Sequence, residues 1–78
     1  MQVGCGATTK EIHGRPYLYF WHYEDRGGRR VQVYRYIGAA RSASARTRLA
    51  EAVGSYYDRI AEDLRRRRSE AVARAGSP

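Results

Sequence analysis

Hydrophobic and polar residues alternate along the first half of the chain, and this two-residue period is typical of β-strands. The alternation is clearest over residues 16–24, "PYLYFWHYE", and 29–37, "RRVQVYRYI". A shorter run that contains Thr and Ile covers residues 8–13. Glycine-containing turns at 14–15 and 25–28 separate the three runs, since glycine tolerates positive φ. We therefore predict three strands, at about 8–13, 16–24 and 29–37.

The second half of the chain has the three- and four-residue period of an α-helix. From Ser42 or Ser44, either of which can serve as N-cap, the composition changes to Ala, Arg, Glu and Leu. The pattern predicts a helix at about 44–75. Its apolar residues form one stripe, which we expect to cover the sheet and to contact a second subunit: Leu49, Val53, Tyr56 or Tyr57, Ile60 and Leu64.

With 78 residues the chain has room for one domain only. We expect this domain to span residues 8–75, with a flexible glycine-rich arm at 1–7 and a tail at 76–78. The predicted fold is α+β: a three-stranded antiparallel sheet packed on one long C-terminal helix, in the order β-β-β-α. Such a helix is about 48 Å long, whereas a strand of eight residues spans roughly 27 Å. We expect the overhang to pair with the same helix of a second copy in a homodimer.

Alternation also sorts the side chains of the second and third strands onto two faces. A hairpin loop with an even number of residues separates aliphatic from amphipathic side chains, whereas an odd loop mixes them. We prefer the even loop for this reason. One face then holds Leu18, Phe20, Val31, Val33 and Ile37, which suit the helix stripe. The other, which we call the tyrosine face, holds Tyr17, Tyr19, Trp21, Tyr23, Arg30, Gln32, Tyr34 and Tyr36.

The chain is strongly basic, with 15 Lys and Arg, eight Asp and Glu, and a net charge of +7. Such a charge attracts polyanions, and arginine binds phosphates and guanine edges through two parallel hydrogen bonds. Codon usage biased toward Arg and Ala would give a similar composition. A sheet in the major groove of DNA can read bases with Arg and Gln while Tyr contacts sugar, phosphate or thymine methyl groups.

We therefore expect double-stranded DNA as the partner of the tyrosine face. The predicted contact residues are Arg15, Tyr17, Tyr19, Trp21, Tyr23, Arg29, Arg30, Gln32, Tyr34 and Tyr36. Secondary phosphate contacts are predicted for Lys10, Arg26, Arg65, Arg66, Arg67 and Arg68, although a solvated charged helix end explains the last four equally well.

Two other uses of the tyrosine face are consistent with the same residues. Exposed rings can stack on unpaired bases of RNA or single-stranded DNA, at roughly 1–3 kcal/mol per base. Alternatively, the rings form the interface of a protein-interaction module, buried in a homo- or hetero-oligomer. Substitution of Trp21 and Tyr34 by Ala separates DNA binding from the oligomer interface, because the first predicts loss of DNA binding by a folded dimer and the second predicts loss of the oligomer. Competition between a duplex and a single strand of the same sequence tests the single-strand alternative.

Other kinds of site have little support in the sequence. Cys5, His13 and His22 lack the paired spacing of metal ligands, so we expect neither a metal nor another cofactor. Glu24 and Asp25 are adjacent, but no nucleophile or base lies near them, so we expect no enzymatic activity and no small-molecule substrate. Without a secretory signal or an apolar run of roughly 20 residues, we expect an intracellular protein of the cytoplasm or nucleoid.

Residues 13–38, "HGRPYLYFWHYEDRGGRRVQVYRYIG", resemble a small β-hairpin module found near the N-termini of certain transposases and plasmid or viral proteins. The shared pattern is a Gly-Arg or Gly-Pro turn, a Tyr-rich strand, a Gly-rich loop, a basic strand and then "YIG" or "YLG". Some members carry several cysteines before the hairpin, whereas this chain has only Cys5. The resemblance therefore implies no metal site here.

The predicted order of three strands and a helix is also similar to the arm-type DNA-binding domain of tyrosine recombinases, whose sheet binds the major groove. The hairpin motif covers about a third of the chain, and the topology covers most of it. Together these resemblances imply a stand-alone DNA-binding module, either a small dimeric transcription regulator or a plasmid or viral DNA-binding factor.

Overall fold

Three β-strands followed by one α-helix make up the computed structural model, which describes residues 3–77. The elements are β1 (Cys5–Ile12), β2 (Arg15–Arg26), β3 (Arg29–Ala39) and α1 (Ala43–Ala75). The strands form one antiparallel sheet in the order β1-β2-β3. The predicted α+β fold is confirmed. Within residues 3–77 no helix combines the length and the apolar character needed to cross a membrane.

Strand β1 begins at Cys5, three residues before the predicted start, so residues 5–7 of the expected arm belong to the sheet. The small side chains that suggested flexibility have a packing role, because the Trp21 ring lies against Gly6. A Cβ atom at Gly6 would lie 2.6 Å from Trp21 Cζ2. Residues 1 and 2 of the predicted arm lie outside the described residues, as does Pro78 of the predicted tail.

The β2–β3 loop contains two residues, Gly27 and Gly28, with φ of 56° and 79°. Arg26 therefore pairs with Arg29, and the predicted even loop is confirmed. His13 and Gly14 form an equally short turn between β1 and β2, also with positive φ. Two tight turns fix the register of all three strands.

The core lies between the helix and the aliphatic side of the sheet. Its buried residues are Phe20, Ile37, Ala45, Ala52 and Tyr56. The predicted stripe residues Leu49, Val53 and Ile60 pack against this cluster. Ala45 and Ala52 were not predicted as core residues. Their small side chains let the helix approach the sheet closely.

Of the two adjacent tyrosines that could belong to the helix stripe, Tyr56 faces the sheet and is 3% exposed, whereas Tyr57 is 48% exposed. The Tyr56 hydroxyl also accepts a hydrogen bond from the Gly4 backbone N–H at 3.1 Å. Leu64, the last predicted stripe residue, is half exposed, so it does not belong to the core of this chain.

At its start the helix is capped by Ser42, whose hydroxyl accepts a hydrogen bond from the Ala45 N–H.

A β-bulge near the end of β3 explains the "YIG" sequence. Tyr36 pairs with Tyr19 and Gly38 pairs with Leu18, so Ile37 is the extra residue. The Ile37 carbonyl accepts hydrogen bonds from Arg48 Nε at 3.2 Å and Arg48 Nη2 at 2.9 Å. Gly38, with φ of 157°, leaves the space in which this guanidinium and the first turn of the helix approach the strand.

We expect Gly38→Ala to lower the free energy of unfolding by about 1–3 kcal/mol, the typical cost of a residue held in a sparsely populated backbone conformation. The added Cβ would also lie 2.6 Å from Arg48 Nη2 and 3.1 Å from the Ala45 Cβ. Urea denaturation measures the change. As a control, Gly54→Ala in the exposed helix interior meets no atom within 4 Å and should raise the stability by up to about 1 kcal/mol. Equal stabilities for the two variants would contradict this account of the bulge.

Candidate functional site

The tyrosine face lies on the side of the sheet opposite the helix. Its central cross-strand pairs are Tyr19 with Tyr36 and Trp21 with Tyr34, and Tyr23 pairs with Gln32 at the hairpin end. Since α1 packs on the other side, no element within residues 3–77 covers this face. The segregation of the two faces that alternation predicts is therefore present in the structure.

Contacts between rings hold the aromatic side chains of this face in place. The Tyr19 and Tyr36 centroids are 5.6 Å apart at an interplanar angle of 70°, and those of Trp21 and Tyr23 are 5.5 Å apart at 68°. Such edge-to-face pairs contribute about 0.5–1.5 kcal/mol each beyond the area they bury. Tyr34 and Tyr36 are the most exposed rings, at 48% and 55%. The face is therefore an ordered surface whose most accessible part lies along β3.

Two cations lie over the rings. Lys10 Nζ is 4.7 Å from the Tyr19 ring centroid and 5.0 Å from that of Tyr34, and Arg30 Cζ is 5.0 Å from that of Tyr23. These distances are typical of cation–π contacts. Lys10, predicted as a secondary contact, thus belongs to the middle of the candidate site. The sequence alone could not indicate this, because the position of Lys10 depends on the register of β1 against β2.

The arginines at the two ends of the hairpin are placed differently. Arg15, at the start of β2, is exposed and lines a groove of about 340 Å³ together with Tyr17 and Arg41, a residue that we did not predict. At the other end, Arg29 pairs with Arg26, and alternation puts both on the helix-facing side. Arg29, which we predicted as a DNA contact, therefore lies on the side of the sheet opposite the tyrosine face. Of the two arginines that follow the loop, only Arg30 lies on the tyrosine face.

His22 and Glu24 form a polar cluster on the helix-facing side. His22 Nε2 lies 2.9 Å from Glu24 Oε1, and Arg26 donates from Nε to Glu24 Oε2 at 2.9 Å. The hydrogen bond with His22 first, and that with Arg26 second, lower the pKa of Glu24 below its ordinary value. The His22 ring packs between Phe20 and Tyr56, with both centroids 5.5 Å away. This histidine is a packed residue at the rim of the core.

Cys5 is a free, partly buried thiol at the start of β1. The neighbouring Cys5 thiol is the main reason why the pKa of Tyr57 is raised above its ordinary value. Within residues 3–77, no three His, Cys, Asp or Glu side chains are grouped as metal ligands would be. Cys5 pairs with His22 across β1 and β2, but His13 lies in the turn at the other end of these strands, so the three do not form one cluster.

The arginine run near the end of the helix divides into two pairs. Asp63 accepts hydrogen bonds from Arg66 and Arg67, the latter from Nε at 2.9 Å. Among the described residues, Arg65 and Arg68 form no ion pair within 4.0 Å. All four lie beyond Ile60, the last helix residue that packs against the core, so they are not part of the tyrosine face.

The geometry thus brings together nine of the predicted contact residues on one side of the sheet: Arg15, Tyr17, Tyr19, Trp21, Tyr23, Arg30, Gln32, Tyr34 and Tyr36. It adds Lys10 and leaves out Arg29. Comparison of the chain with models of protein families, with curated proteins and with solved structures finds no match to any of them.

Proposed function

We propose that this protein binds double-stranded DNA by docking its tyrosine face in the major groove. The observation that carries the proposal is a preformed surface of rings and cations that the helix leaves uncovered. A surface that groups several aromatic rings without a covering element is typical of a binding site. The net charge of +7 supports a polyanion as the occupant. On this proposal the protein is a transcription regulator or a plasmid or viral DNA-binding factor.

The dimensions of the sheet support the major groove. Strands are spaced about 4.8 Å apart, so the outer strands of a three-stranded sheet lie roughly 10 Å apart, and the groove is about 12 Å wide. β2 has 12 residues and is therefore about 40 Å long, far more than the groove width. The strands must accordingly run along the groove, with the helix on the side away from the DNA.

The exposed residues of β3 supply suitable chemistry. Arg30 and Gln32 are both exposed on the tyrosine face, and these residue types read guanine and adenine through paired hydrogen bonds. Tyr34 and Tyr36 follow them along the same strand and present hydroxyl groups and ring edges. Tyrosine hydroxyls are among the groups that contact phosphates and sugars in such complexes.

The arrangement of the rings favours a duplex over a single strand. A base stacks on a ring only if the face of that ring is accessible. Lys10 lies over Tyr19 and Tyr34, and Arg30 lies over Tyr23, so a cation covers one face of each of these three rings. The edge-to-face contacts cover others. The surface therefore offers polar groups and ring edges more than open stacking platforms.

A binding titration across salt concentrations tests this proposal. Fluorescence anisotropy is measured with a mixed-sequence duplex, a single strand of the same sequence and the matching RNA. We expect the duplex to bind best, with its logarithmic affinity falling against the logarithm of salt by about 0.9 for each phosphate neutralised. Four contacts would give a slope of about −3.6. A salt-insensitive complex, or equal or better binding to the single strand, would contradict the proposal.

We also propose that the protein acts as a homodimer through the end of α1. The helix has 33 residues, but Ile60 is the last of them to pack against the core. Leu64 and Val72 are exposed on the remaining four turns. An isolated helical segment of this length is marginal in water, and a partner helix would stabilise it. A two-fold dimer would also present two sheets to two half-sites.

Leu64→Glu should convert such a dimer to a monomer, because each subunit would place a carboxylate in an apolar contact. Sedimentation velocity measures the change in mass. Ala73→Glu is the matched control: nine residues from Leu64, it adds the same charge on the opposite side of the same helical segment and should leave the dimer intact. A wild-type protein that sediments as a monomer at all concentrations would contradict the dimer.

A further inference from the structure

A second cationic feature lies behind β3, on the helix-facing side of the sheet. A groove of about 400 Å³ runs between this outer strand and α1. Its floor is apolar and includes Phe20, Ile37 and Ala52, which are all buried. Three arginines line it: Arg35 from β3, and Arg48 and Arg59 from α1.

The arginines of this groove outnumber the carboxylates of its lining. Arg48 is held by its two hydrogen bonds to the Ile37 carbonyl, which leave its positive charge in place. Arg35 Cζ lies 5.8 Å from the Phe20 ring centroid. None of the three forms an ion pair within 4.0 Å in the part of the chain that the structure describes. Glu51 is the only carboxylate of the lining, so the groove has an excess of positive charge.

The lining also contains a hydroxyl group and a link to the tyrosine face. Ser55 lies among the arginines and can donate a hydrogen bond to an anion. Tyr36, which belongs to the tyrosine face, lines the same groove. The groove therefore opens at the outer edge of β3, where the two sides of the sheet meet.

We propose that the groove formed by Arg35, Arg48 and Arg59 binds a phosphate oxyanion. Guanidinium groups bind phosphate through paired, charge-assisted hydrogen bonds, and three exposed arginines around one groove can supply them. In the DNA complex the occupant is a phosphate of the strand that runs beside β3, a step that rests on the proposed function. With the sheet in the major groove, each outer strand lies next to one wall, and these walls are the phosphate backbones.

The proposal predicts an asymmetric complex. The outer edge of β3 carries the groove, whereas β1 on the other edge has one lysine and one glutamate, Lys10 and Glu11. The two backbones of the duplex are therefore held with different strengths. The contacts to the strand beside β3 contribute most of the salt dependence.

A pair of double variants tests this inference. Arg35→Gln with Arg59→Gln empties the groove of two cations and keeps Arg48, which holds the bulge. Arg46→Gln with Arg74→Gln removes the same charge from exposed helix positions outside the groove and serves as the control. Circular dichroism checks that both are folded. In the duplex titration we expect the groove variant to lose about one unit of salt slope for each arginine removed and at least about tenfold in affinity at low salt, and the control to lose less than half of this slope.

A second arm separates free phosphate from backbone phosphate. The side-chain Nε–H signals of Arg35 and Arg59 are followed by NMR while inorganic phosphate or the duplex is added to the wild type. Shifts with both ligands, or with the duplex alone, support the groove. Shifts with phosphate in a protein that does not bind the duplex would contradict the proposed function but support the oxyanion site. Equal salt slopes for the two double variants, together with no shift on adding phosphate, would overturn the inference and leave duplex binding standing.

Discussion

Phe20→Ala is expected to destabilise the protein strongly, because it removes a large aromatic side chain from the centre of a small core. Phe20 is 2% exposed and contacts the helix through Tyr56, with the ring centroids 6.4 Å apart. Truncation of a buried phenylalanine costs about 3–5 kcal/mol. At about 0.05–0.15 kcal/mol per residue, a domain of this size has a total stability of roughly 4–12 kcal/mol. The variant therefore loses at least about a quarter of this stability, and all of it near the lower limit of the range.

Urea denaturation followed by circular dichroism measures this loss. The control is Tyr36→Ala, which removes a ring of similar size from the exposed face, where Tyr36 is 55% exposed. It loses the ring contacts with Tyr17 and Tyr19, and we expect a cost of about 1–3 kcal/mol. If the two variants were equally stable, the division of the sheet into a core face and a free face would be wrong.

The combined change Trp21→Ala and Tyr34→Ala should have the largest effect on DNA binding. These two residues pair across the strands in the middle of the tyrosine face. Their removal eliminates contacts with sugars and bases and releases Lys10, which lies over Tyr34. A loss of about 1 kcal/mol or more for each ring corresponds to an affinity for the duplex at least about tenfold lower.

The same variant distinguishes DNA binding from a purely structural use of the face. Sedimentation velocity and circular dichroism are measured on the sample used for the DNA titration. The DNA proposal predicts a folded protein that keeps its oligomeric state and loses affinity for the duplex. A folded protein that loses its oligomeric state and keeps its DNA affinity would indicate an oligomer interface instead.

The strands and the helix could be predicted because their signals are local. The alternation in β2 and β3, the two glycines of the loop and the capping serine each depend on a few neighbouring residues. Together they determine which side of the sheet carries Phe20 and which carries Trp21. The two faces therefore follow from the sequence once the loop length is known.

Other features depend on which segments meet in space, and no local pattern indicates them. Gly6 belongs to a strand because the Trp21 ring needs the space beside it, yet a glycine at that position also suits a flexible arm. Lys10 reaches the middle of the tyrosine face only through the register of β1. Ala45 and Ala52 are core residues because the helix crosses the sheet closely, but they resemble the other alanines of the helix.

The arginines illustrate the same limit. Arg35 is separated from Arg59 by more than twenty residues, and only the packing of α1 against β3 brings both to one groove. The composition indicated an anionic partner, whereas the structure is needed to divide the positive charge between two sides of the sheet.

An NMR titration of the labelled protein with a mixed-sequence duplex at low salt, about 50 mM, tests the central claim most directly. The Trp21 indole N–H and the backbone amides of β2 and β3 report on the tyrosine face, and the amides near Arg65 and Arg68 report on the helix end. If the tyrosine face docks on DNA, the largest shifts will be those of the Trp21 indole and of Arg30, Gln32 and Tyr34. Shifts confined to the helix end, with the Trp21 indole unchanged, would contradict the claim.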